Sequence, residues 1–95
     1  MEFIETKIKN LKFKENELII ECEKCKLLIK IIDGTVNINL KTTENEIVGY
    51  SYLEKNDIVK IIYKNKINNY IIPKKIIVNT KYTLNTESSD SETLI

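Results

Sequence analysis

The dipeptide Asp33-Gly34 stands between two runs of β-branched residues, and it constrains this chain more than any other feature. Asp-Gly occupies the positive-φ positions of a two-residue hairpin turn at little steric cost. The stretch 26–32 is Lys-Leu-Leu-Ile-Lys-Ile-Ile, and after the turn Val36, Ile38 and Leu40 alternate with Asn37 and Asn39. A period of two puts those three apolar side chains on one face, as in a half-buried strand. A hairpin is therefore expected across residues 26–40. Elsewhere punctuation is sparse, because Gly49 and Pro73 are the remaining glycine and proline. The other breaks must come from Asn, Asp and charge.

Residues 3–13 read as a first strand, with a break at Lys14, Glu15 and Asn16. The next segment admits two readings. Leu18, Cys22, Cys25, Ile29 and Ile32 recur at helical spacing, but that helix would carry Ile19, Ile20, Leu27, Leu28 and Ile31 on its other faces. Surface helices are not apolar all round. The strand reading explains more: with Glu23-Lys24 as a turn, Cys22 faces Cys25, Glu21 faces Lys26, and Ile20 faces Leu27, a charge-compensated ladder.

Residues 41–57 are the one stretch open to a non-strand insertion. The polar run 42–46 could cap a short helical turn through Ile47 and Val48, although 49–53 suits a strand equally. A turn at Lys55, Asn56 and Asp57 leads into a strand over 58–63, and residues 64–69 read as a polar connection. A last strand begins at Tyr70 and resumes over 76–82. Pro73 lacks an N–H for a ladder and so belongs at an edge or bulge. Beyond Asn85 the chain is too polar to fold. The expectation is one all-β domain over 1–85 and a disordered acidic tail over 86–95. Five or six strands in so short a chain must close into a small barrel or expose two long edges.

The composition excludes several functions. With no His, and Cys only at 22 and 25, the usual general bases and activated nucleophiles are missing, and the isolated glycines make no phosphate loop. The protein is expected not to be an enzyme and to need no cofactor. One Cys pair supplies half the ligands of a structural zinc, so no metal is expected. No apolar run is long enough to span a membrane, and the first residues lack a signal-peptide pattern, so an intracellular protein is expected, in the cytoplasm or at a viral replication site. Ile, Lys and Asn dominate while Arg, Ala, Gln and Trp are absent, the mark of an AT-rich genome such as that of a large DNA virus, phage, parasite or low-GC bacterium. Residues 1–86 carry fifteen Lys against eleven acidic side chains, a mildly basic +4 that the tail largely cancels.

The closing half, Leu53-Glu54-Lys55-Asn56-Asp57-Ile58-Val59-Lys60-Ile61-Ile62 and then the strand from Tyr70 to Thr80, resembles the OB-fold, the small Greek-key barrel. In that family a connection, often a helix, precedes a fourth strand introduced by Gly-Asp-hydrophobic-Val-Lys-Val, and here Asn56 takes the place of that Gly. The resemblance covers residues 3–84, with 53–80 its most specific part. It implies a five- or six-stranded barrel, with room for a short helix between the third and fourth strands. It also implies non-catalytic binding of single-stranded DNA or RNA on a basic face carrying aromatic rings. The residues matching that chemistry are Lys41, Tyr50, Tyr52, Lys60, Tyr63, Lys64, Lys66, Asn68, Tyr70, Lys74 and Lys75, with Lys81 and Tyr82 beyond them. The tail, with Glu87, Asp90, Glu92, Leu94 and Ile95, is similar to the acidic tips of single-strand DNA-binding proteins. Such tips recruit partners and compete for the basic groove. The alternative function is a protein-interaction or assembly module, a viral structural or complex subunit, docking through strand edges or apolar surface around Ile19, Ile20, Ile71 and Ile72 onto a partner or a second copy.

Overall fold

The longest strand, β1 (Glu2–Lys14), is shared between two neighbours, and this sharing bends the sheet into a ring. Its first half pairs antiparallel with β6 (Ile58–Ile67), from Glu2 opposite Tyr63 to Lys7 opposite Ile58. Its second half pairs with β2 (Glu17–Cys22), and the register slips between Ile8 and Asn10 where it changes partner. Such a bulge adds local twist and lets one strand turn a corner. The bend is stitched to the 54–57 turn, since the Ile8 N–H donates to the Asp57 carbonyl at 2.8 Å and the Asn56 N–H to the Ile8 carbonyl at 2.8 Å.

From β2 the chain folds back as β3 (Lys26–Ile32), with Glu21 opposite Lys26 and Ile20 opposite Leu27. The strand reading of residues 16–30 therefore holds, in the register set by a Glu23-Lys24 turn. At the far edge β7 (Tyr70–Val78) pairs antiparallel with β6 and, through Lys26–Tyr70 and Leu27–Ile71, parallel with β3. These pairings close the ring β1–β2–β3–β7–β6, so the molecule is a small all-β, barrel-like domain. The computed structural model describes residues 2–81; the tail and the 85/86 boundary lie outside the described residues. No helix among the described residues is long and apolar enough to cross a membrane.

Three expectations change in detail. Asp33 and Gly34 do take positive φ, 52° and 77°, as the tight turn requires. The hairpin they start covers only β4 (Thr35–Val36), after which the chain leaves β3 and forms β5 (Asn39–Thr42) parallel to the end of β7. Local alternation is satisfied on either neighbour, so it predicted the strand but not its partner. Residues 64–67 are strand rather than loop, leaving only Asn68 and Asn69 as the turn, because cross-strand pairing runs out to Ile67 opposite Tyr70. The helix expected between strands shrinks to a 3-10 turn, η1 (Tyr50–Tyr52).

Alternating side chains fill the ring. Ile8, Leu18, Ile20, Leu27, Ile29, Val59, Ile61, Ile71, Ile76 and Val78 are buried, and Leu53 plugs the core from beside η1. Pro73 is where a missing N–H is tolerated, at a register slip in which Lys74 on β7 and Lys64 on β6 face no opposite residue. Asn56 adopts φ 77°, the conformation for which glycine is otherwise favoured. Because Ile61 is 0% and Ile47 81% exposed, Ile61→Ala is expected to cost about 2–5 kcal/mol. Ile47→Ala is expected to stay within about 0.5 kcal/mol. Urea midpoints measure both, and equal losses would contradict this core assignment.

Candidate functional site

The ring is pinched where β3 and β7 meet. They pair only at Lys26–Tyr70 and Leu27–Ile71; farther along, β7 takes β5 as its neighbour from Lys75 onward. The backbone edges between these pairings border a groove of about 270 Å³, whose apolar lining is Leu28, Ile29, Ile38, Ile67, Ile72 and Pro73. It shares Asn37, Ile38, Ile72 and Pro73 with an adjoining, more polar depression of about 600 Å³ that reaches Asn39, Asn65 and Lys74. Lys30 stands on the opposite rim, its Nζ 3.2 Å from Glu17 Oε2 and its side chain 67% exposed. Among the described residues no carboxylate lines either part.

The charge of the flanking hairpin follows from sequence. Residues 58–78 carry five lysines and no acidic side chain. On β2 and β3 the outward residues are instead compensated, with Lys12 3.1 Å from Glu21 and Lys30 on Glu17. The hydrogen bond from Lys12 holds the Glu21 carboxyl below its ordinary value against a weaker opposing effect of burial.

The expected ligand residues do not form one surface. Tyr63 is buried at 8% exposure, with its hydroxyl donating to Glu2 at 3.2 Å; burial and then this bond raise its pKa. Tyr50 and Tyr52 are partly buried against the core, and Phe13 tilts onto Tyr50 at 5.9 Å between ring centroids. Lys60 lies over the Phe3 ring at 4.5 Å. Lys41, half-buried on β5, is opposite Ile77, while half-buried Lys75 is opposite both Asn39 and Ile62. Lys64 is exposed at its bulge. Lys66 and Asn68 border a small depression with Cys25. Of the set, Lys74 lines the groove, and Tyr70 stands at its closed end opposite Lys26. Tyr82 and the tail residues lie outside the described residues. The groove adds Lys30, Asn37, Asn39 and Asn65. Lys26, Leu28 and Lys30 were legible as one outward face of a strand, whereas the asparagines have no pattern of their own.

Lys81 serves a different purpose from the ligand role expected of it. Its ammonium bridges Asp57 at 2.9 Å and Glu54 at 3.0 Å, donates to the Tyr52 carbonyl and lies 4.6 Å above the Tyr52 ring. Its backbone N–H donates to the Tyr52 hydroxyl at 2.6 Å. The chain leaving β7 is thereby clasped to η1 and to the turn that opens β6. Burial lowers the Lys81 pKa, but the bonds to Asp57 and Glu54 outweigh it, so the net shift is upward from 10.5. A raised lysine pKa stabilises the fold below the ordinary value and loses that contribution as pH rises through the folded-state value. Lys81→Met is expected to cost about 1–3 kcal/mol at neutral pH. Its stability difference from wild type should shrink above pH 10.5 in urea titrations; a constant difference would contradict the clasp.

Compared with known protein families, characterised proteins and solved structures, the chain matches none.

Proposed function

We propose that this is a non-catalytic OB-like barrel that binds single-stranded nucleic acid along the β3–β7 groove. The observation that carries the reading is the placement of charge: the hairpin β6–β7 bears five lysines and no carboxylate, and it walls a groove lined by no acid among the described residues. Single strands present phosphates on one side and flat apolar bases on the other, and call for a basic rim over an apolar platform. Lys74 and Lys30, which would exchange Glu17 for a phosphate, supply the rim, Leu28, Ile72 and Pro73 the platform, and Asn37, Asn39 and Asn65 amides for base edges. An OB barrel uses its second and third strands with the loops joining strands one–two and four–five. Here those are β2, β3, the Glu15-Asn16 turn and the Asn68-Asn69 turn, and of these β3 lines the groove, through Leu28, Ile29 and Lys30. With an aliphatic platform and no Arg, affinity is modest and strongly salt-dependent. Glu87, Asp90 and Glu92 act in this reading as an intramolecular competitor for the lysines, and Leu94 and Ile95 as a tether for partners.

An oligothymidylate titrated by fluorescence anisotropy at low salt is expected to bind at micromolar concentrations. Lys30→Glu combined with Lys74→Glu should weaken binding at least about tenfold and reduce the salt slope by about 1.4, since each phosphate that a lysine neutralises on a single strand adds about 0.7 to it. Lys55→Glu, on the turn before β6, should leave it unchanged, and a chain ending at residue 85 should bind more tightly than the full chain. An absence of binding at low salt would sink the proposal.

A second reading, self-assembly, is favoured by the cluster around Tyr50 and not by the surface expected around Ile19, Ile20 and Ile71, which are buried. Ile47, at 81% exposure, lines an apolar depression with Val36, Ile38 and Val48, and Phe13, at 60%, packs on Tyr50 in the same lining. Exposed apolar surface of this kind marks interaction sites. Light scattering should then show oligomers that Ile47→Ser with Phe13→Ser dissociates; a wild-type monomer at high concentration would contradict it.

A further inference from the structure

The turn between β2 and β3 carries a feature that neither reading uses. Cys22 and Cys25 flank its two residues, and the Cys22 N–H donates to the Cys25 carbonyl at 2.8 Å, extending the ladder that sets Glu21 opposite Lys26. Opposed residues in an antiparallel ladder have Cα atoms about 4.5–5.5 Å apart, inside the span a disulfide bridges. The turn is held from outside as well: the Glu23 N–H donates to the Lys7 carbonyl at 3.0 Å and the Lys24 N–H to the buried Thr6 hydroxyl at 3.1 Å. Both thiols are free, yet their surroundings differ. Cys22 is 8% exposed inside the barrel end, whereas half-buried Cys25 lines a depression of about 160 Å³ with Lys24, Lys66, Asn68 and Asn69.

The geometry points to a redox-active dithiol in which Cys25 attacks a low-molecular-weight disulfide and Cys22 resolves the product into an internal disulfide. The interaction between the two thiols raises the Cys22 pKa, a shift that burial reinforces. The same interaction lowers the Cys25 pKa against the opposing effect of burial, and the Lys66 charge lowers it further. A partly exposed thiolate near ammonium groups is the reactive kind, and a buried thiol is inert until an intramolecular electrophile forms beside it. In the first step the Cys25 thiolate forms a bond to one sulfur of the small disulfide, whose S–S bond breaks to release a thiolate. In the second, Cys22 loses its proton to solvent and attacks Cys25 Sγ, expelling the second small thiolate. The protein loses two electrons and two protons, and the small disulfide becomes two thiols.

The test uses the full chain in glutathione buffers of increasing oxidised fraction, with intact mass and peptide mapping as readouts. The expected product has lost the mass of two hydrogen atoms and maps as a Cys22–Cys25 link. Cys22→Ser should stop at one glutathione on Cys25, while Cys25→Ser should remain unmodified as long as it is folded. Limiting alkylation of the reduced wild type, which requires no variant to fold, should label Cys25 at least about tenfold faster than Cys22. Persistent glutathione on the wild-type chain, disulfide-linked dimers, two unreacted thiols in fully oxidised glutathione, or faster labelling of Cys22 would each overturn the proposal.

Discussion

The seam between β3 and β7 closes the ring with two opposed pairs, Lys26 with Tyr70 and Leu27 with Ile71. Without it, β3 would present an edge paired only to β4 and β7 one paired only to β5, and the inward residues of five strands would face water on one side. A domain this small has little stability to spare, since short chains bury a smaller share of their surface. Leu27 and Ile71 are themselves fully or almost fully buried, so the same two residues fasten the ring and fill its core. Where the pairing stops, the diverging strands leave the groove. The closing interaction and the candidate site are thus two consequences of one parallel pairing.

Loops are fixed to this frame at a few points. The bulge at Ile8 receives the 54–57 turn, Thr6 and Lys7 hold the Cys22–Cys25 turn, and Lys81 clasps η1 to the start of β6. Buried Thr42 does the same for the 43–46 turn, its hydroxyl accepting from the N–H groups of Glu44 and Glu46 at 3.2 Å each. Each tie satisfies a backbone donor that a short connection would otherwise leave unpaired near the core. Short turns tied in this way leave the walls of the groove set by the sheet rather than by long loops.

How much of this the sequence disclosed depended on the range of the interaction. The Glu23-Lys24 turn and its register could be read because Glu21–Lys26 and Ile20–Leu27 are neighbours along the chain. Pro73 at a bulge and the turn at Asn56 followed from the backbone chemistry of single residues. The departure of β5 from β3 could not be read: Val36, Ile38 and Leu40 alternate identically whichever strand they pair with. The extension of β6 through Lys64, Asn65, Lys66 and Ile67 was hidden for the opposite reason, since polar side chains on a two-stranded ribbon look like loop. For the site, composition located the lysines on the closing hairpin, but the inward turn of Tyr63 depends on the register with β1. The groove depends on a parallel pairing between residues more than forty positions apart.

The most direct test is an amide chemical-shift map of the isotopically labelled chain during titration with a short single-stranded oligonucleotide at low salt. Binding at the seam should shift Leu28, Lys30, Ile38, Asn65 and Lys74 while leaving Phe3, Glu5 and Lys60 on the outer face of β1 and β6 in place. A spectrum unchanged at saturating oligonucleotide, or shifts centred on Phe13, Ile47 and Tyr50 instead, would contradict the assignment of the groove.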